Sequence, residues 1–381
     1  MIVNRTDHED LLERSSVSSG TPAALASRAS DKPLSAVETT VEVSEMGEWR
    51  SVPALNINGV NIIASGSWLK IASVHDEEWL ESALQDPEGC VQTLKKGKVR
   101  GWKPDIFVFT QRVPETTPKY SYPMEFGSIA AIRLTTFEEW WEKLPQVTRK
   151  NVRRSEKRGV EVKLRNLDDE LIRDIVELTK DSPVRQGKRF THFGKTFDET
   201  KKDQSTHLDR SDFICAYSGT ELIGLLKLVY GGNCASILTF LPKTSEQDKR
   251  PANALIAKAV EICIAKEISY IIYGMFHYGK KRQDSLLEFK IRNGFEEILV
   301  PRYHVPLTTW GAFCLQCNLH RGIIGMLPDS VLRAALSMRA NWYQFARFSG
   351  RCSSMAEQPN RTRQTDGSIP PAGSNNPDQE V

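Results

Sequence analysis

The sequence predicts an α+β fold built on one mixed sheet with flanking helices. Three observations carry that prediction. Phe213–Tyr217, Leu222–Tyr230 and Ala235–Leu241 are apolar stretches separated by the turns Ser218-Gly219-Thr220 and Gly231-Gly232-Asn233, which reads as three antiparallel strands. From Pro251 onward, Leu255, Ile256, Ala259, Val260 and Cys263 recur at a helical period. A strand at Ser269–Tyr273, a helix ended by Gly294, and strands at 295–300 and 303–307 then complete the order.

Composition sets the outer bounds. The 381 residues carry 51 Lys and Arg against 48 Asp and Glu, a net charge of +3. That balance argues against a surface given over wholly to nucleic acid. No run approaches the length of an apolar membrane span, and the first ten residues lack an apolar signal core. Seven scattered cysteines fit free thiols in a reducing compartment, so the expected location is cytoplasmic. Disulfide scaffolds, collagens, coiled coils and integral membrane proteins are excluded on these grounds.

The elements follow in order. Residues 1–48 are rich in Ser, Thr, Ala and Glu and read as a disordered N-terminal segment. Leu55–Ile62 alternates around Asn58-Gly59, a hairpin signal. Thr136-Phe137-Glu138-Glu139 fits a capping box that opens a helix carrying Trp140 and Trp141. Pro145 suits a first helical position and Gly159 a helix stop. Between them, residues 149–158 hold six cations against one carboxylate. Val160–Leu164 alternates as a strand, and Leu171, Ile172, Ile175, Val176 and Leu178 mark one side of a helix. Ser285-Leu286-Leu287-Glu288 is a second capping-box pattern. Residues 310–348 suggest amphipathic helices with a rim of Arg321, Arg333, Arg339 and Arg347, for packing on the fold or for lying on an anionic membrane surface. Residues 351–381, with four prolines among Asn, Gln, Ser and Gly, read as a disordered tail.

The element order, at these lengths, resembles the GNAT acyltransferase fold. Two local words sharpen the likeness. Arg153-Arg154-Ser155-Glu156-Lys157-Arg158-Gly159-Val160-Glu161-Val162 resembles the R-x-x-x-K-x-G-V-x-V entry to the catalytic lobe of Fem-type peptidoglycan-bridge aminoacyl transferases. Leu287-Glu288-Phe289-Lys290-Ile291-Arg292-Asn293-Gly294-Phe295 resembles their F-K-x-x-F-G segment, with Asn293 where that pattern has Phe. The resemblance spans residues 60 to 307 and implies two GNAT-like lobes. Residues 49–145 would form a degenerate first lobe, 146–308 the catalytic lobe, and 309–350 the amphipathic C-terminal helices.

The resemblance also implies a donor site. In acetyl-CoA-using members, the helix after the third strand opens with Gln/Arg-x-x-Gly-x-Gly/Ala, whose glycines admit a pyrophosphate to free N–H groups. The matching positions here are Lys249, Ala252 and Ala254, and Pro251 removes one N–H. Lys249 and Arg250 offset that loss by charge. The implied donor contacts are Leu238, Thr239, Phe240, Lys249, Arg250, Ala252, Asn253 and Ala254, for acyl-CoA (acetyl-CoA) or for an aminoacyl-tRNA.

Acyl transfer further needs oxyanion stabilisation, a base for the amine and a proton for the leaving group. Tyr273 and Tyr278 are candidates for that proton, and Lys290 for an oxyanion or phosphate. The basic, aromatic loop 183–193 offers Arg185 and His192 as acceptor contacts, His192 also as a base. Glu125 and His277 are further base candidates. Arg153 and Arg154 on the basic helix suit a phosphate grip on a nucleotide-linked sugar, a lipid diphosphate or tRNA. Sequence-specific DNA reading is not expected. Cys314, Cys317 and His320 lack the second pair a zinc site wants, so no metal is expected.

The expected function is N-acyl transfer to an amine of a cell-envelope precursor or amino sugar, the acceptor being small or lipid-linked, with peripheral contact at the inner membrane face as an option. The alternative is a catalytically inactive binding protein of the same fold, holding a phosphorylated or lipid-linked partner. An open cleft between 235–241 and 269–274 favours the enzyme. A cleft filled by Phe240, Tyr273 or Phe276 favours the binder.

Overall fold

A computed structural model describes residues 35–45, 47–96, 103–185, 190–277 and 285–321, with the backbone of 188–189. The chain divides into two compact units at Gln316/Cys317. The described part of the second is the short stretch 317–321, with one 3-10 turn at Leu319–Arg321.

A 12-stranded sheet organises the first unit. β1 (Ala36–Glu45), β2 (Glu48–Ile57), β3 (Val60–Ser65) and β4 (Ile71–Val74) are antiparallel neighbours. Helix α1 (Pro87–Lys96) then leads to β5 (Ile106–Thr110), parallel to β4. Next come β6 (Met124–Arg133), α2 (Phe137–Lys143), α3 (Gln146–Lys157), β7 (Val160–Arg165) and α4 (Asp169–Thr179). The short strands β8 (Val184–Arg185) and β9 (Lys188–Arg189) and helix α5 (Phe197–Gln204) precede the meander β10 (Ser211–Ser218), β11 (Glu221–Gly231) and β12 (Cys234–Pro242). Helix α6 (Pro251–Ala265) leads to β13 (Tyr270–Met275), parallel to β12. Helix α7 (Ser285–Arg292), β14 (Glu296–Pro306) and α8 (Thr309–Gln316) close the unit.

The sheet order is β1-β2-β3-β4-β5-β14-β6-β13-β12-β11-β10-β7. Its two halves share one plan: four antiparallel strands, a helix, and a fifth strand parallel to the fourth. Each half is completed by a strand of the other. β14 pairs with β5, β6 pairs with β13, and β6 and β14 pair with each other at the centre. This is the two-lobed arrangement that the resemblance implied.

Local chemistry accounts for the joints. Asn58 (φ 49°) and Gly59 (φ 82°) both take left-handed backbone, as a tight hairpin turn requires. The Thr136 hydroxyl accepts the Glu139 N–H and caps α2. Gly159 (φ 75°) ends α3, while Pro145 is its N-cap rather than its first residue. A Cβ at Gly224 would lie 2.9 Å from Leu255 Cδ1 and 3.4 Å from Pro251 Cβ, so a side chain on β11 would have to displace the Leu255 methyl where α6 begins. Helices α2, α3 and α6 cover one face of the second half through Trp140, Val152, Leu255, Val260, Ile214 and Leu226. Helix α4 covers the other through Leu171, Ile175, Phe213, Cys215 and Leu225. The cysteines among the described residues are free thiols. No helix among the described residues is long and apolar enough to cross a membrane.

Two expectations need correction. Residues 36–45, assigned to a disordered segment, form β1. Val37, Thr39, Val41 and Val43 alternate with polar residues, a strand pattern, and pairing with β2 rather than deep burial holds them. The strands expected at 295–300 and 303–307 are one strand, β14. Pro301 is tolerated inside it because its carbonyl, and so its missing N–H, faces Gln111 just past the end of β5, where the ladder has stopped.

Candidate active site

The distinctive opening of the sheet lies between β12 and β13. Their parallel ladder joins Cys234–Ser236 to Tyr270–Ile272 and then stops. Lys227 faces Thr239 and Leu228 faces Ile237 across β11, so Leu238 is an extra, bulged residue. A bulge bends its strand and increases twist, and the pairing of β12 with β13 stops just before it. On the far side, the β13–β6 register also shifts between Ile272 and Met275.

Aromatic side chains line this opening. The Phe240 ring stands 5.6 Å from Tyr273 and 5.5 Å from Phe289, and Tyr273 stands 5.8 Å from Phe295. Phe240, Tyr273 and Phe289 border a pocket of about 550 Å³ together with Arg185, Arg250, Ala252 and Asn253. Phe240 and Tyr273 therefore meet across the opening and also border the cavity beside it.

The start of α6 offers an anion little backbone. Pro251 has no N–H, and Asn253 and Ala254 both donate to the Arg250 carbonyl. Side chains stand in. Arg250, held at φ 60° as the N-cap, has a buried Nε without a hydrogen-bond partner. The same is true of Nε and Nη2 of Arg185, whose guanidinium stacks 4.0 Å from the Phe190 ring centre. Burial pulls the Arg185 pKa below its ordinary value, with Asp181 opposing. A buried polar group left unpaired costs about 1–3 kcal/mol, and a phosphate would relieve that cost for both guanidiniums. The Asn253 amide donates to Asn293 Oδ1 (2.9 Å), tying α6 to the end of α7.

The remaining expected site residues are distributed as follows. Lys290 is neither solvated nor on the pocket wall. It is fully buried, its Nζ donates to the Met275 carbonyl (2.6 Å), and it sits 4.7 Å from the Tyr273 ring centre. Lys249 turns to Ser218 (2.9 Å) and Glu246 (2.7 Å), away from the pocket. Ala254 faces the core of α2, α3 and α6. Arg153 lies over the Trp141 ring at 5.5 Å and Arg154 is exposed on α3, so the basic helix does not reach the cleft. His277 is exposed, 3.6 Å from Glu297, and Glu125 sits on β6 opposite Arg302. Tyr278 lies outside the described residues.

Leu238, Thr239 and His192 meet elsewhere, in a second cavity of about 500 Å³. Adjacent strand residues face opposite sides of a sheet, and here Thr239 borders this cavity while Phe240 borders the first. His192 is held below the usual imidazole pKa by burial and then by Lys195, so it is neutral near pH 7. Trp49, His75, Asp76, Gln204 and His207 also line this cavity. Sequence reasoning missed them, because residues of both sheet halves converge there and no local pattern marks them.

No family model matches the chain, and no curated protein matches it. Among solved structures, it is similar to FemX at 10% identity and a TM-score of 0.41, over 70% of this chain and 88% of that one. It is similar to L-PGS from Bacillus licheniformis at 12% identity and a TM-score of 0.43, over 69% and 84%. A tandem GNAT protein from the clavulanic acid biosynthesis pathway matches at 10% identity and a TM-score of 0.36, over 73% and 85%.

Proposed function

We propose that the chain is an N-acyltransferase that moves an acyl or aminoacyl group onto a primary amine of a cell-envelope precursor or amino sugar. The observation that carries this reading is the opened β12–β13 pair. The ladder ends after Ser236, Leu238 bulges, and the pocket beyond is bordered by two arginines with buried N–H groups that lack a hydrogen-bond partner. Strand backbone freed from β13 suits a developing oxyanion. Arg185, expected as an acceptor contact, borders this pocket with Arg250 instead, and the two suit donor phosphates, whether of CoA or of tRNA, while Phe240 and Phe289 suit an apolar arm. The donor, when bound, supplies a carbonyl activated as a thioester or ester. Tyr273, on the pocket wall, is assigned the leaving-group proton, and the neutral imidazole of His192 the proton released by the amine. Lys290 is a positioning residue that fixes the end of β13 and the Tyr273 ring.

The contact of Phe240 with Tyr273 across the β12–β13 opening favours a second reading, a catalytically inactive binder of a phosphorylated or lipid-linked partner. One experiment separates the two. The full-length chain is melted with acetyl-CoA, free CoA and longer acyl-CoAs, then incubated with amines and assayed by mass spectrometry. Native-state ligands raise the midpoint by mass action. A raised midpoint with acylated amine supports the enzyme, and a raised midpoint without product supports the binder. No shift at millimolar ligand rejects a CoA-type donor and leaves aminoacyl-tRNA or the binder.

A further inference from the structure

The second cavity faces the donor pocket across β12 and is walled by both halves of the sheet. Its most buried carboxylate is already engaged. Asp203 accepts the Trp49 indole N–H (2.8 Å) and Lys195 Nζ (2.5 Å), with His192 Nδ1 at 3.7 Å. Two other groups are not engaged in this way. Gln204 is 1% exposed, yet its buried Oε1 has no hydrogen-bond partner. Asp76 Oδ2 lies 3.5 Å from His75 Nε2 and 3.7 Å from His207 Nε2, too long for hydrogen bonds. Nδ1 of His207 is meanwhile taken by Arg210 (3.2 Å). Asp76 (φ 54°) and His207 (φ 52°) both hold left-handed backbone where their side chains meet.

Gln204 Oε1 is an unpaired acceptor and Asp76 a carboxylate beside two imidazoles, so a fitting ligand brings N–H or O–H donors, and the carboxylate favours a cation. The indole of Trp79 stands beside His207, its ring centre 6.3 Å away, and offers a flat apolar face. Thr191, Thr206 and Thr239 border the same space.

We infer that this cavity binds an amino sugar, its ammonium on Asp76, a sugar donor on Gln204 Oε1 and its C–H face on Trp79, as the acceptor site. This inference rests on the acyltransferase reading for the word acceptor, but the binding site stands on its own geometry. The test is calorimetric titration of the full-length chain with glucosamine, glucose and N-acetylglucosamine, with CoA titrated in parallel. Glucosamine is expected to bind at millimolar or tighter affinity, and the two neutral sugars at least tenfold more weakly. Asp76→Asn, a partly exposed position, is expected to weaken glucosamine at least tenfold and leave CoA unchanged. Gln204→Leu is expected to weaken glucosamine as well, with a retained cooperative melting transition as its check on folding. Equal binding of the three sugars, no binding of glucosamine, or glucosamine binding untouched by Asp76→Asn overturns the inference. Glucosamine binding lost in Asp76→Asn, in a chain that fails to bind CoA, upholds the site and overturns the CoA donor instead.

Discussion

Arg185 and Arg250 reach the proposed donor pocket from separate elements, and each brings at least one buried N–H with no hydrogen-bond partner. A hydrogen bond to a charged group contributes about 1.5–3 kcal/mol. Arg185→Ala and Arg250→Ala should therefore each weaken acetyl-CoA binding by about 10- to 100-fold in a calorimetric titration. His192 makes a pH prediction. Burial, then Lys195, lowers its folded pKa below the ordinary 6.5. Below pH 6.5 the unfolded chain takes up the proton before the folded chain does, so stability is full above 6.5 and falls as pH drops towards the folded pKa. His192→Gln should flatten the fall in melting temperature between pH 7 and pH 5. The sequence made Arg250 legible as a cation at a helix start, but it also nominated Lys249. Which of two adjacent cations faces the cleft depends on the left-handed turn at Arg250, which no residue preference announces.

Helix α6 sits closely on β11 because Gly224 has no side chain. Leu255 is fully buried and has little room to yield. Gly224→Val should cost about 1–3 kcal/mol by overpacking, read from a denaturant midpoint. Helix α7 is pinned to β13 by Lys290. Lys290→Met keeps the volume and removes the donor, which should cost about 1–3 kcal/mol for the Met275 carbonyl and its neighbours. Most elements around the cleft were legible because they alternate at period 2 or recur at a helical period. β1 was not, since its valines sit among exposed polar residues and its order comes from pairing with β2. The bulge at Leu238 was not either, because it is a property of the β11–β12 register and not of either strand alone.

The two halves of the sheet complete each other through an exchange of strands. β14 lies between β5 and β6, and β6 between β14 and β13. Fragments 1–145 and 146–381 should each fail to fold alone, since each half-sheet loses the strand that covers its exposed edge. Coexpressed, they should associate and recover the circular dichroism of the intact chain. This exchange was invisible in the sequence because pairs such as Ser128 with Leu299 join distant segments through backbone groups that every residue carries. The two-lobed plan was legible only through the resemblance of local words, whereas the second cavity, built from both halves, had no sequence signal. The donor pocket joins these levels, and calorimetric titration of the full-length chain with acetyl-CoA probes it without intermediaries. The geometry predicts one saturable site whose affinity falls further in the Arg185→Ala/Arg250→Ala double variant than in either single one. No binding at millimolar acetyl-CoA, or binding that the double substitution leaves intact, would contradict it.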